Sequence, residues 1–195
     1  MAHWFVLWSV STTSKSPKDI LLAALSVGQA KLADYSHRNS PKTFTQPQLF
    51  ACLVLKTSLG LDYRGLEGLL DDSADLCQLI GLESVPHFTT FQKTSRKLLA
   101  NSLVQSLLDE TVTRALGRRK SVEHAAIDST GLECSAASNY FIKRRDRVGN
   151  PWKIVTYSHY PKLAIVCKTA DHFILAFSSR RGPKPDVDEF KDWFQ

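Results

Sequence analysis

The chain has 195 residues, enough for one medium domain or two small ones, and enough to bury a core without disulfides or a structural metal. Hydrophobic residues make up 43% and charged residues 23%, which excludes a globally disordered chain. The net charge of +6 is unevenly placed: residues 1–110 hold 10 basic and 10 acidic side chains, residues 111–184 hold 14 and 5, and residues 185–195 hold 1 and 4. The excess of +9 in residues 111–184 suggests either a localised polyanion-binding surface or a solvated basic face without a partner.

The first ten residues are apolar, but they lack a basic n-region and a small-residue cleavage site, which argues against a signal peptide. No apolar run approaches the roughly 20 residues that cross a bilayer. Lys18 to Tyr35 has the apolar spacing of a helix, and Asn39, Ser40 and Pro41 break it. Residues 1–44 are therefore expected as an N-terminal extension, packed on the rest or poorly ordered.

Residues 45–117 read as a helical domain. Thr45 with Gln48 makes a capping box, Pro47 is tolerated in the first turn, and the apolar run Leu49 to Leu55 predicts a buried helix ended by Gly60. Asp62 caps a short helix carrying Leu66, Leu69 and Leu70. Ser73 caps another, Ala74 to Ile80, stopped by Gly81. After Val85-Pro86, Thr89 with Gln92 makes a second capping box for a helix with Phe91, Leu98 and Leu99 on one face. Leu103, Val104, Leu107, Leu108, Thr111, Val112, Ala115 and Leu116 then repeat at helical spacing up to Gly117. Residues 118–195 change character. Ala125 to Gly131 reads as a strand. Lys162 to Thr169 and His172 to Ser178 read as two more, joined by a tight hairpin turn at Ala170-Asp171. The expected fold class is α+β, helices followed by an antiparallel sheet of about three strands.

Cys52, Cys77, Cys134 and Cys167 form no C-x-x-C pair, which argues against a zinc knuckle or a dithiol redox motif and fits a reduced, intracellular setting. Cys52 and Cys77 sit among apolar neighbours and read as core residues. His87, His124, His159 and His172 have no metal-ligand spacing, and there is neither a phosphate-cradling glycine loop nor a G-x-S-x-G.

Three features point to chemistry. Asp128 lies in an otherwise apolar strand and is expected at the end of a central strand, where a carboxylate is costly to desolvate unless it is paired, ligates a metal or caps the turn. Around it lie three basic clusters. These are Arg118-Arg119-Lys120, then Lys143, Arg144, Arg145 and Arg147 preceded by Asn139-Tyr140-Phe141, then Arg180, Arg181 and Lys184. Arginines beside an aromatic suit phosphate binding and base stacking. The third feature is the capped helix at residues 86–93, whose Thr89, Thr90, Gln92 and Lys93 offer a first turn able to meet DNA phosphates; a plain bundle helix is the alternative.

These residues resemble the bacterial IS4/IS5-type insertion-sequence DDE transposases. The resemblance runs through Thr45 to Lys56, Leu61 to Leu66, Ile80-Gly81-Leu82 and Val85 to Lys93, which are similar to the family's helical N-terminal domain. It continues through Ala126 to Glu133, which resembles its first catalytic strand, and through Phe177 to Phe190. The family implies a ribonuclease-H-like fold, double-stranded DNA (transposon ends) as partner, and strand cleavage and transfer at two Mg²⁺ ions held by three carboxylates in the order Asp, Asp, Glu. It also implies a cytoplasmic, nucleoid-associated protein without membrane or small-molecule partners. Asp128 maps onto the first carboxylate. Residues 118–195 are then the first part of that catalytic domain. Asp171 falls in a hairpin turn, and Glu133, Asp146, Asp186, Asp188, Glu189 and Asp192 match neither of the other two carboxylates. The expectation is a truncated transposase, catalytically incomplete and not holding both Mg²⁺ ions. The alternatives are a DNA-binding product that inhibits or pairs with full-length transposase or with itself, or a non-functional remnant.

Overall fold

The computed structural model describes residues 15–39, 41–98, 101–117, 122–132 and 161–181. Among them six helices precede three strands, an α+β arrangement. The chain divides into two compact units, residues 1–120 and 121–195.

In the first unit, α1 (Pro17–Lys31) starts where Ser16 accepts from the Asp19 amide and Pro17 fills the first position. Its Leu21, Ala24 and Val27 are buried, so this helix is part of the helical unit's core. Gly28 lets α1 and α2 approach closely: a Cβ there would sit 3.1 Å from the Pro47 Cα and 3.2 Å from the Phe50 ring. The capping box at the head of α2 (Gln46–Ser58) is complete. The Gln48 amide donates to the Thr45 hydroxyl, and the Gln48 side chain accepts from the Thr45 amide at 2.9 Å. The same side chain donates to the carbonyls of Ile80 (3.0 Å) and Gly81 (2.8 Å), and so ties the start of α2 to the end of α4.

Asp62 caps α3 (Tyr63–Asp71) by accepting from the Gly65 amide at 2.6 Å. Ser73 occupies the cap position of α4 (Ala74–Leu79) but makes no capping hydrogen bond; its backbone (φ −125°, ψ 72°) departs from the extended geometry that aims a cap side chain at the helix. Gly81 ends that helix in the left-handed region at φ +69°.

The structure corrects the sequence at α5 (Phe88–Leu98). This helix begins two residues before the start that a Thr89 cap would give. The Glu67 carboxylate on α3 accepts from the Phe88 amide at 3.2 Å, and the His87 carbonyl accepts from the Thr90 amide at 2.8 Å. These acceptors satisfy the first amides, so Thr89 lies inside the first turn with its hydroxyl 2.9 Å from His87 Nδ1. The last helix, α6 (Asn101–Leu116), follows the predicted period.

The core of this unit gathers Leu21, Leu49, Cys52, Leu55, Leu66, Leu70, Ile80 and Phe91, with Val27, Leu32, Leu98 and Leu107 as a second cluster. Burial pushes the Cys52 thiol up to about 12, with Cys77 adding to the effect; the Cys77 thiol is raised by burial and then by Asp71 and Asp75. Both thiols are the inert core residues expected.

The second unit holds one antiparallel sheet, in the order β1 (Ala125–Gly131), β2 (Pro161–Lys168), β3 (Ile174–Arg181). The β2–β3 connection is wider than the tight turn expected at Ala170-Asp171. Lys168 donates its amide to the Phe173 carbonyl across a four-residue loop, Thr169 to His172, with His172 at φ +56°. Asp171 organises that loop, accepting from Lys168 Nζ at 2.8 Å and from the Phe173 amide at 3.3 Å. The Lys168 ammonium therefore holds the Asp171 carboxyl below its ordinary value. Strand β3 starts at Ile174, two residues later than expected, because Asp171 and His172 complete the turn.

Candidate nucleic-acid interface

Asp128 is the fourth of the seven residues of β1 and pairs with Ile165, which pairs in turn with Phe177. Among the described residues β1 is an edge strand, hydrogen-bonded on one side only, to β2. Asp128 is exposed, and its Oδ1 accepts from the Ser129 amide at 2.8 Å. This corrects the expectation of a desolvated carboxylate at the end of a central strand. The edge position keeps Asp128 in water, where an ionised carboxylate is stable without a partner. It therefore stands as an available acceptor.

Strand alternation sorts the neighbours of Asp128. Ala126, Asp128 and Thr130 share a face with Leu163, Ile165, Cys167 and Phe177. Ile127 and Ser129 share the other face with Lys162, Ala164, Val166 and Arg180. Arg180, expected to flank Asp128, thus lies on the opposite face, paired across the ladder with Lys162. Lys162 is only 6% exposed, in a strand where sequence pattern gave it no special weight. Burial of an ammonium requires acceptors for its protons. Arg181 closes the ladder opposite Pro161. Arg118, Arg119, Lys120, Lys143, Arg144, Arg145, Arg147 and Lys184 lie outside the described residues.

The helix containing Thr89, Thr90 and Lys93 presents a different surface from the one expected. Its N-terminus already receives the Glu67 carboxylate, the group that favours that end of a helix dipole. The Arg64 guanidinium lies 4.3 Å from the centroid of the Phe88 ring beside it. Along the outer side of the helix, Gln92, Lys93, Arg96 and Lys97 are exposed, whereas Phe91 and Leu98 are buried beneath. Arg96 and Lys97 were not singled out from sequence. Helical spacing from Phe91 and Leu98 was the signal that places them on the outer face.

Two Mg²⁺ ions would require several carboxylates together. Among the described residues no group of three or more His, Cys, Asp or Glu is placed to hold a metal. Glu133, Asp146, Asp186, Asp188, Glu189 and Asp192 lie outside the described residues, and Asp171 is committed to its own loop. Asp128 alone does not fit a two-metal centre. Among the described residues no helix is long and apolar enough to cross a membrane. Comparison with protein-family models, with curated proteins and with solved structures finds no match.

Proposed function

We propose that this chain is a double-stranded DNA-binding protein of the insertion-sequence transposase kind. Its second unit would correspond to the opening strands of a ribonuclease-H-like domain, with Asp128 in the position of the first metal-binding carboxylate. One observation carries this reading: Asp128 stands exposed in the middle of the first strand of a three-stranded antiparallel sheet. It lies within the segment of the chain that carries the +9 charge excess. A carboxylate that needs neither a core partner nor a cap is available to a hard cation, and the basic excess of this segment of the sequence favours phosphates.

The second reading is a chain that occupies transposon ends, or pairs with a complete transposase, without cutting DNA itself. It is favoured by the described residues holding no group of three or more His, Cys, Asp or Glu placed to bind a metal. Both readings have DNA binding by the chain as their main support. Titration of a labelled duplex at low ionic strength tests them, and absence of affinity there removes the support of both. Asp128→Ala is expected to leave duplex affinity within about twofold, because an acidic residue serves a cation rather than a phosphate. A large loss of affinity in that variant contradicts the assignment of Asp128 as a metal ligand.

A further inference from the structure

We propose that the helical unit carries a DNA-docking face of its own, the outer side of α5, on which Gln92, Lys93, Arg96 and Lys97 meet the duplex. The inference rests on the reading of the chain as a DNA binder and assigns one binding surface within it.

The first support is the layout of the helix. Phe91 is fully buried and Leu98 is 6% exposed, so one side of α5 is anchored in the core. At about 100° per residue, Gln92, Lys93, Arg96 and Lys97 fall within an arc of about 140° on the opposite side. All four are exposed, and none of the eleven residues of the helix is acidic.

The second support is the state of its cations. Elsewhere in the unit Lys18 is neutralised by Asp75 at 2.8 Å, and Lys31 and Arg114 by Glu110 at 3.5 and 2.7 Å, while Lys56 and Arg64 lie against the Tyr63 and Phe88 rings at 4.8 and 4.3 Å. Among the described residues Lys93, Arg96 and Lys97 have no ion-pair partner. Lys93 lies three residues from Arg96 and four from Lys97, spacings at which like charges repel on a helix. A polyanion laid along this face relieves that repulsion.

The third support is shape and chemistry. A helix of eleven residues is about 16 Å long and, with side chains, about 10–12 Å across, matching a major groove about 12 Å wide. Gln92 and Arg96 sit one turn apart, and their amide and guanidinium groups are the types that read adenine and guanine edges. Lys93 and Lys97 supply point charges for phosphates. The exposed arc holds no apolar side chain to insert into a membrane, so a lipid surface is the poorer fit. The Glu67 carboxylate at the N-terminus directs the contact to the side of the helix rather than to its end.

The test is fluorescence anisotropy of the full chain with a labelled random-sequence duplex across a sodium chloride series. The variant is Lys93→Gln/Arg96→Gln/Lys97→Gln, with helicity and melting midpoint checked by circular dichroism. The expected result is a loss of affinity of at least about tenfold, with the slope of log K against log salt shallower by about 2–3, as removal of three phosphate contacts requires. Should the triple variant misfold, Arg96→Gln alone is expected to reduce the slope by about 1. Lys18→Gln/Lys31→Gln, which removes cations already neutralised, is expected to bind like the unaltered chain. An unchanged slope in the α5 variants, with the unaltered chain still binding, overturns this inference and leaves the DNA-binding reading standing. An equal loss in the Lys18/Lys31 variant also overturns it, since net charge would then explain the effect. No binding by the unaltered chain at low salt removes the DNA-binding reading itself. Tighter partition onto phosphatidylserine vesicles than onto the duplex overturns the choice of DNA.

Discussion

The helical unit and the strand unit use similar apolar residues and bury them to different depths. In the first, Leu21, Ala51, Cys52, Leu55, Leu66 and Phe91 have no exposed surface at all. In the second, only Lys162 and Ala164 are buried among the described strand residues, and apolar Ile174 is 43% exposed. The helices satisfy their own backbone groups, α1, α2 and α3 begin at local side-chain caps, and their packing rests on a core of leucines around Phe91. Among the described residues the sheet leaves its first strand at an edge, and the Asp128 carboxylate on it stands exposed to water. The buried unit therefore carries stability, and its exposed rim and the sheet edge carry the groups available for binding.

That contrast is broken most severely in the core. Phe91→Ala removes the largest fully buried side chain among the described residues and is expected to destabilise the helical unit by about 3–5 kcal/mol in chemical denaturation. A loss below about 1 kcal/mol would show that α5 is not anchored as described. Next comes Gln48, which serves the α2 cap and the tether to α4 with one side chain. Gln48→Ala is expected to cost about 1–3 kcal/mol. Gln48→Glu separates the two roles: it retains the acceptor for the Thr45 amide but sets a carboxylate against the carbonyls of Ile80 and Gly81. If Gln48→Glu is as stable as the unaltered chain, the tether contributes nothing.

Smaller effects belong to the surface. Hydrogen bonding from Arg114, with help from Lys31, holds the Glu110 carboxyl below its ordinary value of 4.5. A depressed folded-state value stabilises the fold above the unfolded one, and that contribution is lost as pH falls through the folded value. The melting midpoint of the intact chain is therefore expected to fall on acidification below about 4.5, and Glu110→Gln should flatten that limb. A limb identical in both proteins would show that the Arg114 pair is screened out. The smallest effect is expected at Asp128, where Asp128→Ala should change stability by no more than about 0.5 kcal/mol, since the side chain is exposed. A larger loss would place Asp128 among the structural residues and not among the available ones.

Much of this architecture is legible in the sequence, because its signals are local. The capping box of Thr45 and Gln48, the Asp62 cap, the glycines after α2, α4 and α6, and the span of β1 all lie where the pattern puts them. What escaped depends on partners distant in the chain. The start of α5 is set by Glu67, 21 residues upstream of Phe88. The second role of Gln48 is set by carbonyls 32 and 33 residues away. The exposure of Asp128 and its separation from Arg180 follow from strand order and register, which no local motif encodes.

The central claim is that unneutralised cations of this chain grip the phosphate backbone of DNA. It is tested most directly by the slope of log K against log salt for the intact chain and a labelled duplex. The account predicts measurable affinity at low salt and a slope steeper than about −3, corresponding to several phosphates neutralised at once. A flat salt dependence, or no affinity at low ionic strength, would contradict it.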